Sequence, residues 1–142
     1  MRDERRSAKQ LLLAYLTQIQ SPEKAGEVFA EDGVLELPTI RVHARGPSGV
    51  ATLVRGLLQK VPDFKFGEPI FYIETPDRVF AEYSVHAVVA DTGKTYVQTY
   101  AGVLIAENGR IKLLREALDT AAAAEAFKKD QAGALDTKGG SA

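Results

Sequence analysis

Residues 78–90 read RVFAEYSVHAVVA, and their side chains alternate between two kinds along the run. The odd-numbered positions from Val79 to Val89 are apolar or aromatic, whereas Glu82, Ser84 and His86 are polar. A period of two is typical of a β-strand with one buried face. We therefore predict that the odd positions face the core and that His86 faces water or a partner subunit.

The same period extends through the second half of the chain. Three further strands are predicted near residues 65–74, 95–106 and 110–118, and Asn108-Gly109 is a typical hairpin turn between the last two. Short connections join consecutive strands, so the four strands should form an antiparallel meander.

Helical spacing dominates the first half of the chain, where apolar residues recur every three to four positions. Helices are predicted at 5–20, 22–30, 46–61 and, in an alanine-rich stretch, 120–129, with short strands at 34–37 and 40–44. Helices packed on one face of a curved sheet leave a hollow between the two layers. We therefore predict an α+β fold in which a curved antiparallel sheet wraps around three N-terminal helices, forming a conical barrel with an internal pocket.

The amino-acid composition argues against several classes of function. The 142 residues carry a formal net charge of −1, which argues against a nucleic-acid or anionic-membrane surface. The chain contains no cysteine and only two histidines, so neither a disulfide nor a cysteine- or histidine-built metal centre is expected. Residues 1–129 are predicted to form a single domain, followed by a polar, disordered tail at 130–142.

The N-terminal run is charged and amphipathic rather than typical of a signal peptide, and no stretch reaches transmembrane length. We therefore expect a soluble, cytoplasmic protein.

The 95–106 and 110–118 strands are apolar on both of their faces. Burial on both sides indicates that the outer face of the sheet is covered, most simply in a homodimer. On one side lie Tyr96, Gln98, Tyr100 and Gly102. Two interpretations stay open: these residues are polar groups for a ligand in the hollow, or the tyrosines fill the core with their hydroxyls at its edge.

Glu116, late in the last strand, is the main candidate for chemistry. If its carboxyl group projects into the hollow, burial raises its pKa and the group can move protons; otherwise it projects into water. Asp63 is either a second acid at the rim of the pocket or an ordinary turn residue that ends a helix. His43, which is flanked by Arg41 and Arg45, either binds an anionic substrate or is part of a charged sheet edge.

Three segments, 29–34, 62–64 and 108–119, resemble the SnoaL-like branch of the nuclear transport factor two-like superfamily, and the resemblance covers residues 8–128. It implies a cone-shaped α+β barrel that is commonly dimeric. Members of the superfamily include isomerases, cyclases, dehydratases, epoxide hydrolases and non-catalytic binding subunits.

Residue matches separate these activities. The aspartate base of ketosteroid isomerases matches Leu37 here, their oxyanion tyrosine matches Tyr15, and their acidic donor falls near Gly102. The resemblance therefore does not imply the steroid-type proton shuttle.

Limonene-epoxide hydrolases place a catalytic aspartate at Glu116, but their arginine and its partner aspartate match Tyr83 and Val85. Their water-activating reaction is therefore not implied either. Phenazine-biosynthesis A/B proteins are similar in the last strand, where their arginine-glutamate pair matches Arg115 and Glu116. In that family the glutamate is an acid/base group in the pocket.

Together these observations predict a cofactor-independent enzyme of isomerase, cyclase or dehydratase type. Its substrate would be a small, hydrophobic, carbonyl-bearing molecule, and Glu116 and Asp63 would be its catalytic acids. The substrate-binding residues are predicted to be Tyr15, Tyr83, Gln98, Tyr100, Leu37, Leu57 and His43. The alternative is a non-catalytic module for ligand binding or dimerisation, in which Glu116 pairs with an arginine.

Overall fold

The computed structural model describes residues 5–129, which form four α-helices, six strands and one short 3₁₀ helix. In chain order these are α1 (Ala8–Thr17), α2 (Pro22–Glu27), β1 (Phe29–Leu37), the 3₁₀ helix (Pro38–Ile40), β2 (Val42–Arg45), α3 (Gly46–Lys60), β3 (Ile70–Thr75), β4 (Arg78–Val88), β5 (Thr95–Glu107), β6 (Arg110–Leu118) and α4 (Thr120–Phe127). The tail predicted at 130–142 lies outside the described residues.

All six strands belong to one sheet in the order β2-β1-β6-β5-β4-β3. The predicted meander is present, since β3, β4, β5 and β6 are consecutive antiparallel neighbours. The α+β prediction is confirmed, but the sheet is mixed rather than wholly antiparallel because β1 runs parallel to β6. That pair is joined through the rest of the chain rather than by a tight turn, so its direction is free to be parallel.

The second helix ends at Glu27, and the prediction that it reaches Ala30 was wrong. Phe29 already belongs to β1 and pairs with Ile111 of β6. Gly33 lies in a bulge of β1. A Cβ atom there would lie 2.2 Å from the carbonyl oxygen of Ile111. The close approach of two strands therefore requires glycine at this position.

Two other boundaries differ from prediction. Residues 61–69 precede β3 as an irregular segment, which pairs with β4 at an isolated bridge between Phe66 and Val85. The strand predicted at 40–44 begins at Val42, because Pro38–Ile40 forms the 3₁₀ helix and Arg41 takes a left-handed conformation with φ 58°.

The alternation that was read from 78–90 is confirmed. Val79, Ala81, Tyr83 and Val85 are buried on the inner face of β4, whereas His86 is exposed on the outer face. The inner face packs on α1, whose buried side chains include Leu12, Tyr15 and Leu16. Burial of this apolar surface is the main stabilising term for the domain.

The structure also bears on the predicted localisation. Within residues 5–129, no helix combines the length and the apolar character needed to cross a membrane. The cytoplasmic location stays a prediction.

Candidate functional site

A cavity of about 770 Å³ lies between the inner face of the sheet and the helices α1, α3 and α4. Most of its wall is apolar, from Leu35 and Leu37 of β1 to Leu53 and Leu57 of α3. Among the described residues that line it, five can ionise: Tyr15, Lys60, Tyr96, Tyr100 and Glu116. Glu116 is the single carboxylic acid in this set. A cavity of this size suits a small molecule of one to several rings.

Glu116 projects from β6 into this cavity and is only 3% exposed. A bulge places it there, because the pairing of β6 with β5 shifts register between Ile111 and Leu113. After the shift, Leu114 and Glu116 both face inward. Burial raises the pKa of the Glu116 carboxyl group from 4.5 to about 7, since the apolar surroundings disfavour its charged form.

Tyr83 is the hydrogen-bond partner of Glu116. Its hydroxyl donates to Oε2 of Glu116 at 2.5 Å, and this bond opposes the rise in the pKa of Glu116. Tyr83 is buried but does not line the cavity, so it lies behind the carboxyl group rather than beside a ligand. The other oxygen, Oε1, has no hydrogen-bond partner among residues 5–129.

Tyr15 of α1 is the second group of interest, because it is 3% exposed and lines the cavity. Its hydroxyl has no hydrogen-bond partner within the described part of the chain. Burial and the nearby charge of Glu116 raise the pKa of Tyr15, which keeps the hydroxyl protonated as a donor. Buried polar groups are almost always hydrogen-bonded, so an unpaired donor in a cavity wall indicates a place for a ligand or water oxygen.

Tyr96 and Tyr100 are paired with each other. Their hydroxyls lie 2.9 Å apart, and burial raises the pKa of both. Their rings pack on Phe64 at centroid distances of 6.4 Å. These tyrosines therefore fill space in the core and also line the cavity, and their role toward a ligand stays a prediction.

Gln98 does not line the cavity, and its amide group is hydrogen-bonded to the backbone. Its Nε2 donates to the carbonyl oxygen of Asp119 at 2.9 Å, and its Oε1 accepts from the amides of Asp119 and Thr99 at 2.7 and 2.9 Å. Gln98 thus fixes the junction between β6 and α4. The substrate-binding role that was predicted for Gln98 therefore gains no support from its position.

The α4 helix forms part of the cavity wall, which was not predicted from the sequence. Thr120, Ala123, Ala124 and Phe127 line the cavity, and the Phe127 ring meets the edge of Tyr96 at 5.3 Å. Their spacing along one helix face was the available signal. The alanine-rich composition carried no sign of a ligand.

Two predicted site residues lie away from the cavity. Asp63 is exposed and accepts a hydrogen bond from the amide of Val88 at 3.2 Å. His43 is exposed on the edge strand β2. Neither lines the cavity, whereas Leu37 and Leu57 do. The roles predicted for Asp63 and His43 therefore gain no support from their positions.

Within residues 5–129, no three side chains of histidine, cysteine, aspartate or glutamate lie close enough together to hold a metal ion.

Comparison with known proteins gives a consistent assignment of the fold. The family model described as SnoaL-like domain matches residues 16–114. No curated protein sequence matches the chain.

Many solved structures do match. A candidate isomerase from Bacillus subtilis superposes with a TM-score of 0.75 at 22% identity, covering 84% of this chain and 91% of that one. A phenazine biosynthesis-related protein from Pseudomonas aeruginosa gives 0.74 at 19% identity, covering 87% and 86%. A candidate polyketide cyclase from Xanthomonas campestris pv. campestris gives 0.75 at 19% identity, covering 85% and 96%. At these identities the likeness establishes the fold alone.

Proposed function

The chain belongs to the SnoaL-like domain family, and we propose that it catalyses proton transfer on a small, hydrophobic, carbonyl-bearing molecule bound in the cavity. The reaction is of the isomerase or cyclase type and needs no cofactor. Glu116 is the general acid/base, and Tyr15 is the hydrogen-bond donor to the carbonyl oxygen.

The main support for this proposal is the burial of Glu116 in the cavity wall together with its raised pKa. A carboxyl group that is 3% exposed, that lines an apolar cavity and that has a pKa of about 7 can both accept and release a proton near neutral pH. A surface carboxylate with an ordinary pKa would be a much weaker base. Burying a carboxyl group is also unfavourable for folding. A carboxyl group that lies in a cavity wall despite this cost is therefore a candidate for a functional role.

The cavity supports the class of substrate. Its walls are mostly apolar, and Oε1 of Glu116 and the hydroxyl of Tyr15 are buried there without a hydrogen-bond partner among residues 5–129. A molecule with an apolar body and one carbonyl group would fit this arrangement. Its carbonyl oxygen would accept from Tyr15 while the adjacent carbon faces Glu116.

In the proposed step, the Glu116 carboxylate removes a proton from the carbon next to the carbonyl group. The electron pair of that C–H bond forms a C=C bond, and the carbonyl π electrons move to the oxygen. Tyr15 stabilises the resulting enolate by hydrogen bonding. The Glu116 carboxyl group then returns the proton to carbon, so no oxidant, reductant or other reactant is consumed.

Exchange of the α-protons of 2-tetralone in deuterated buffer, followed by proton NMR, tests the proposal without knowledge of the natural substrate. We expect the protein to accelerate deuterium incorporation and Glu116→Gln to lose roughly 10²–10⁴ of that acceleration. Glu68→Gln is the matched control, because Glu68 is exposed and lies outside the cavity. Equal exchange by Glu116→Gln and the parent, or no acceleration by the parent, would count against the proposal.

A second candidate is a non-catalytic ligand-binding module. It is favoured by the presence of a single carboxylic acid among the described lining residues, with no histidine or second acid beside it. In that case Glu116→Gln would retain binding of 2-tetralone, measured by calorimetry, and neither protein would speed the exchange.

We also propose that the protein is a homodimer through the outer face of the sheet. Large apolar side chains are exposed there, including Tyr72 at 56%, Ile73 at 62% and Val97 at 60%. A twofold contact places the same patch of each copy against its counterpart, so an apolar sheet face can serve both subunits.

A further inference from the structure

Tyr83 and Glu116 lie on strands that are not neighbours. Tyr83 belongs to β4 and Glu116 to β6, and β5 runs between them. The residue of β5 that separates them is Gly102, whose Cα pairs with Ala81 of β4 on one side and with Glu116 of β6 on the other. The Tyr83 side chain must therefore cross the inner face of β5 at Gly102 to reach the carboxyl group.

The space at Gly102 is what allows this crossing. A Cβ atom at that position would lie 2.3 Å from the Tyr83 hydroxyl oxygen, 3.2 Å from Cζ of the same ring and 3.4 Å from Cγ of Glu116. The first distance is far inside van der Waals contact. Even the smallest side chain would therefore occupy the place of the hydroxyl group that binds Glu116.

The Tyr83 ring has little freedom to move aside. Phe66 meets it edge-on at a centroid distance of 5.3 Å, and Tyr100 stacks on it at 6.1 Å with an interplanar angle of 16°. Both neighbours are themselves part of the cavity wall. A shift of Tyr83 would consequently disturb the cavity as well as the hydrogen bond.

We propose that Tyr83 and Gly102 act together as a positioning pair for Glu116. Gly102 leaves an open slot across β5, Tyr83 passes through it, and its hydroxyl holds Oε2 so that Oε1 is presented to a ligand. The catalytic meaning of this pair rests on the proposed function, whereas the pair itself is a matter of geometry. Holding one oxygen fixes the rotation of the carboxyl group, which a proton-transfer step requires.

The pair makes a measurable prediction, because a hydrogen bond donated to a carboxylate lowers its pKa. Titration of the Glu116 carboxyl carbon by ¹³C NMR reads this pKa directly and needs no substrate. We expect Tyr83→Phe to raise the pKa of Glu116 above that of the parent. Gly102→Ala should raise it as well, since the new methyl group displaces the Tyr83 hydroxyl.

The double variant gives the decisive comparison. In the Tyr83→Phe background there is no hydroxyl to displace, so Gly102→Ala should leave the pKa of Glu116 where Tyr83→Phe alone puts it. This background also removes the shortest clash, which keeps the test usable if Gly102→Ala alone does not fold. Gly49→Ala is the matched control, because a Cβ atom at Gly49 meets nothing closer than 3.9 Å.

The outcomes separate this inference from the proposed function. If Gly102→Ala and Tyr83→Phe both titrate at Glu116 as the parent does, the positioning pair is wrong, whatever Glu116→Gln does to 2-tetralone exchange. If both raise the pKa while Glu116→Gln exchanges normally, the pair stands and the proposed function fails. If both proposals hold, Tyr83→Phe and Gly102→Ala lower the exchange rate by up to about 10²-fold, as misplacement of a reacting group does.

Discussion

The inner face of the central strands buries polar side chains, whereas the outer face exposes apolar ones. On the inner face, Gln98 and Glu116 are polar and are 1% and 3% exposed. On the outer face of the same sheet, Val97 is apolar and 60% exposed. Adjacent positions such as Val97 and Gln98 thus place the polar side chain inside and the apolar one in water.

This difference shows where the sheet departs from maximum stability. Moving a carboxyl group out of water is unfavourable, and leaving large apolar side chains in water forgoes the free energy of burying them. For Gln98, three hydrogen bonds to the backbone compensate for the loss of hydration. For Glu116, the hydrogen bond from Tyr83 compensates for only part of this loss. Glu116 on the inner face and Val97 on the outer face are thus not fully compensated, and they are the residues for which we propose chemistry and dimerisation.

The largest expected effect tests whether the inner face is destabilised by its acid. Because the pKa of Glu116 is raised from 4.5 to about 7, the folded protein holds a proton in this interval that the unfolded chain has released. The contribution is fully present below pH 4.5 and is lost as the pH rises through about 7. Relative to Glu116→Gln, the parent should lose roughly 3 kcal/mol of unfolding free energy across this window, at about 1.36 kcal/mol per pKa unit.

Urea unfolding at a series of pH values measures this difference. Glu82→Gln is the matched control, because Glu82 lies on β4 with its side chain toward the outer face. That variant should keep the pH dependence of the parent. Parallel stability profiles for the parent and Glu116→Gln would show that Glu116 titrates normally and that the two faces do not differ in this respect.

A smaller effect is expected from the other buried polar residue of the inner face. Gln98→Leu keeps the apolar packing but leaves the amide and the carbonyl oxygen of Asp119 without their partner, so it should cost about 2 kcal/mol. The start of α4 should loosen with it. Hydrogen exchange at residues 119–123 should accelerate more than exchange in β4, whereas uniform acceleration would mean that Gln98 stabilises the whole domain rather than this junction.

The sequence was informative where only one face of a strand is buried. In β4 the alternation of Val79, Ala81 and Val85 with polar residues was sufficient to orient the strand. The β5 and β6 strands are apolar on both faces, so alternation did not establish which way Gln98 and Glu116 point. The direction of Glu116 further depends on the bulge near Ile111, which changes the parity of β6 within the strand.

Relations between distant elements could not be predicted from local pattern. Gly102 has no side chain to read, and its importance arises only because Tyr83 crosses it from another strand. The part of α4 in the cavity wall likewise depends on how Gln98 holds its first turn. Glu116 was singled out by its place late in the last strand and supported by the family resemblance, but neither identified Tyr83 as its hydrogen-bond partner.

A more modest effect is expected on the outer face. If Val97 lies at the centre of a twofold contact, Val97→Asp places two carboxylates in an apolar interface and should weaken dimerisation by about tenfold or more, which corresponds to about 1.4 kcal/mol. Sedimentation velocity over a dilution series measures this shift. Thr99→Asp is a useful comparison, because Thr99 is exposed on the same face of β5 and is already polar. A parent that sediments as a monomer at all concentrations would contradict the dimer.

The smallest effect concerns Asp63, the other acid that was predicted to be catalytic. Asp63 is exposed, lies outside the cavity lining and accepts one hydrogen bond, from the amide of Val88. Asp63→Asn keeps an acceptor for that amide, so the unfolding free energy should change by less than about 0.5 kcal/mol. Deuterium exchange of 2-tetralone should remain at the level of the parent. A loss of exchange comparable to that of Glu116→Gln would instead place Asp63 in the reaction, and the acid buried on the inner face would no longer be sufficient to explain it.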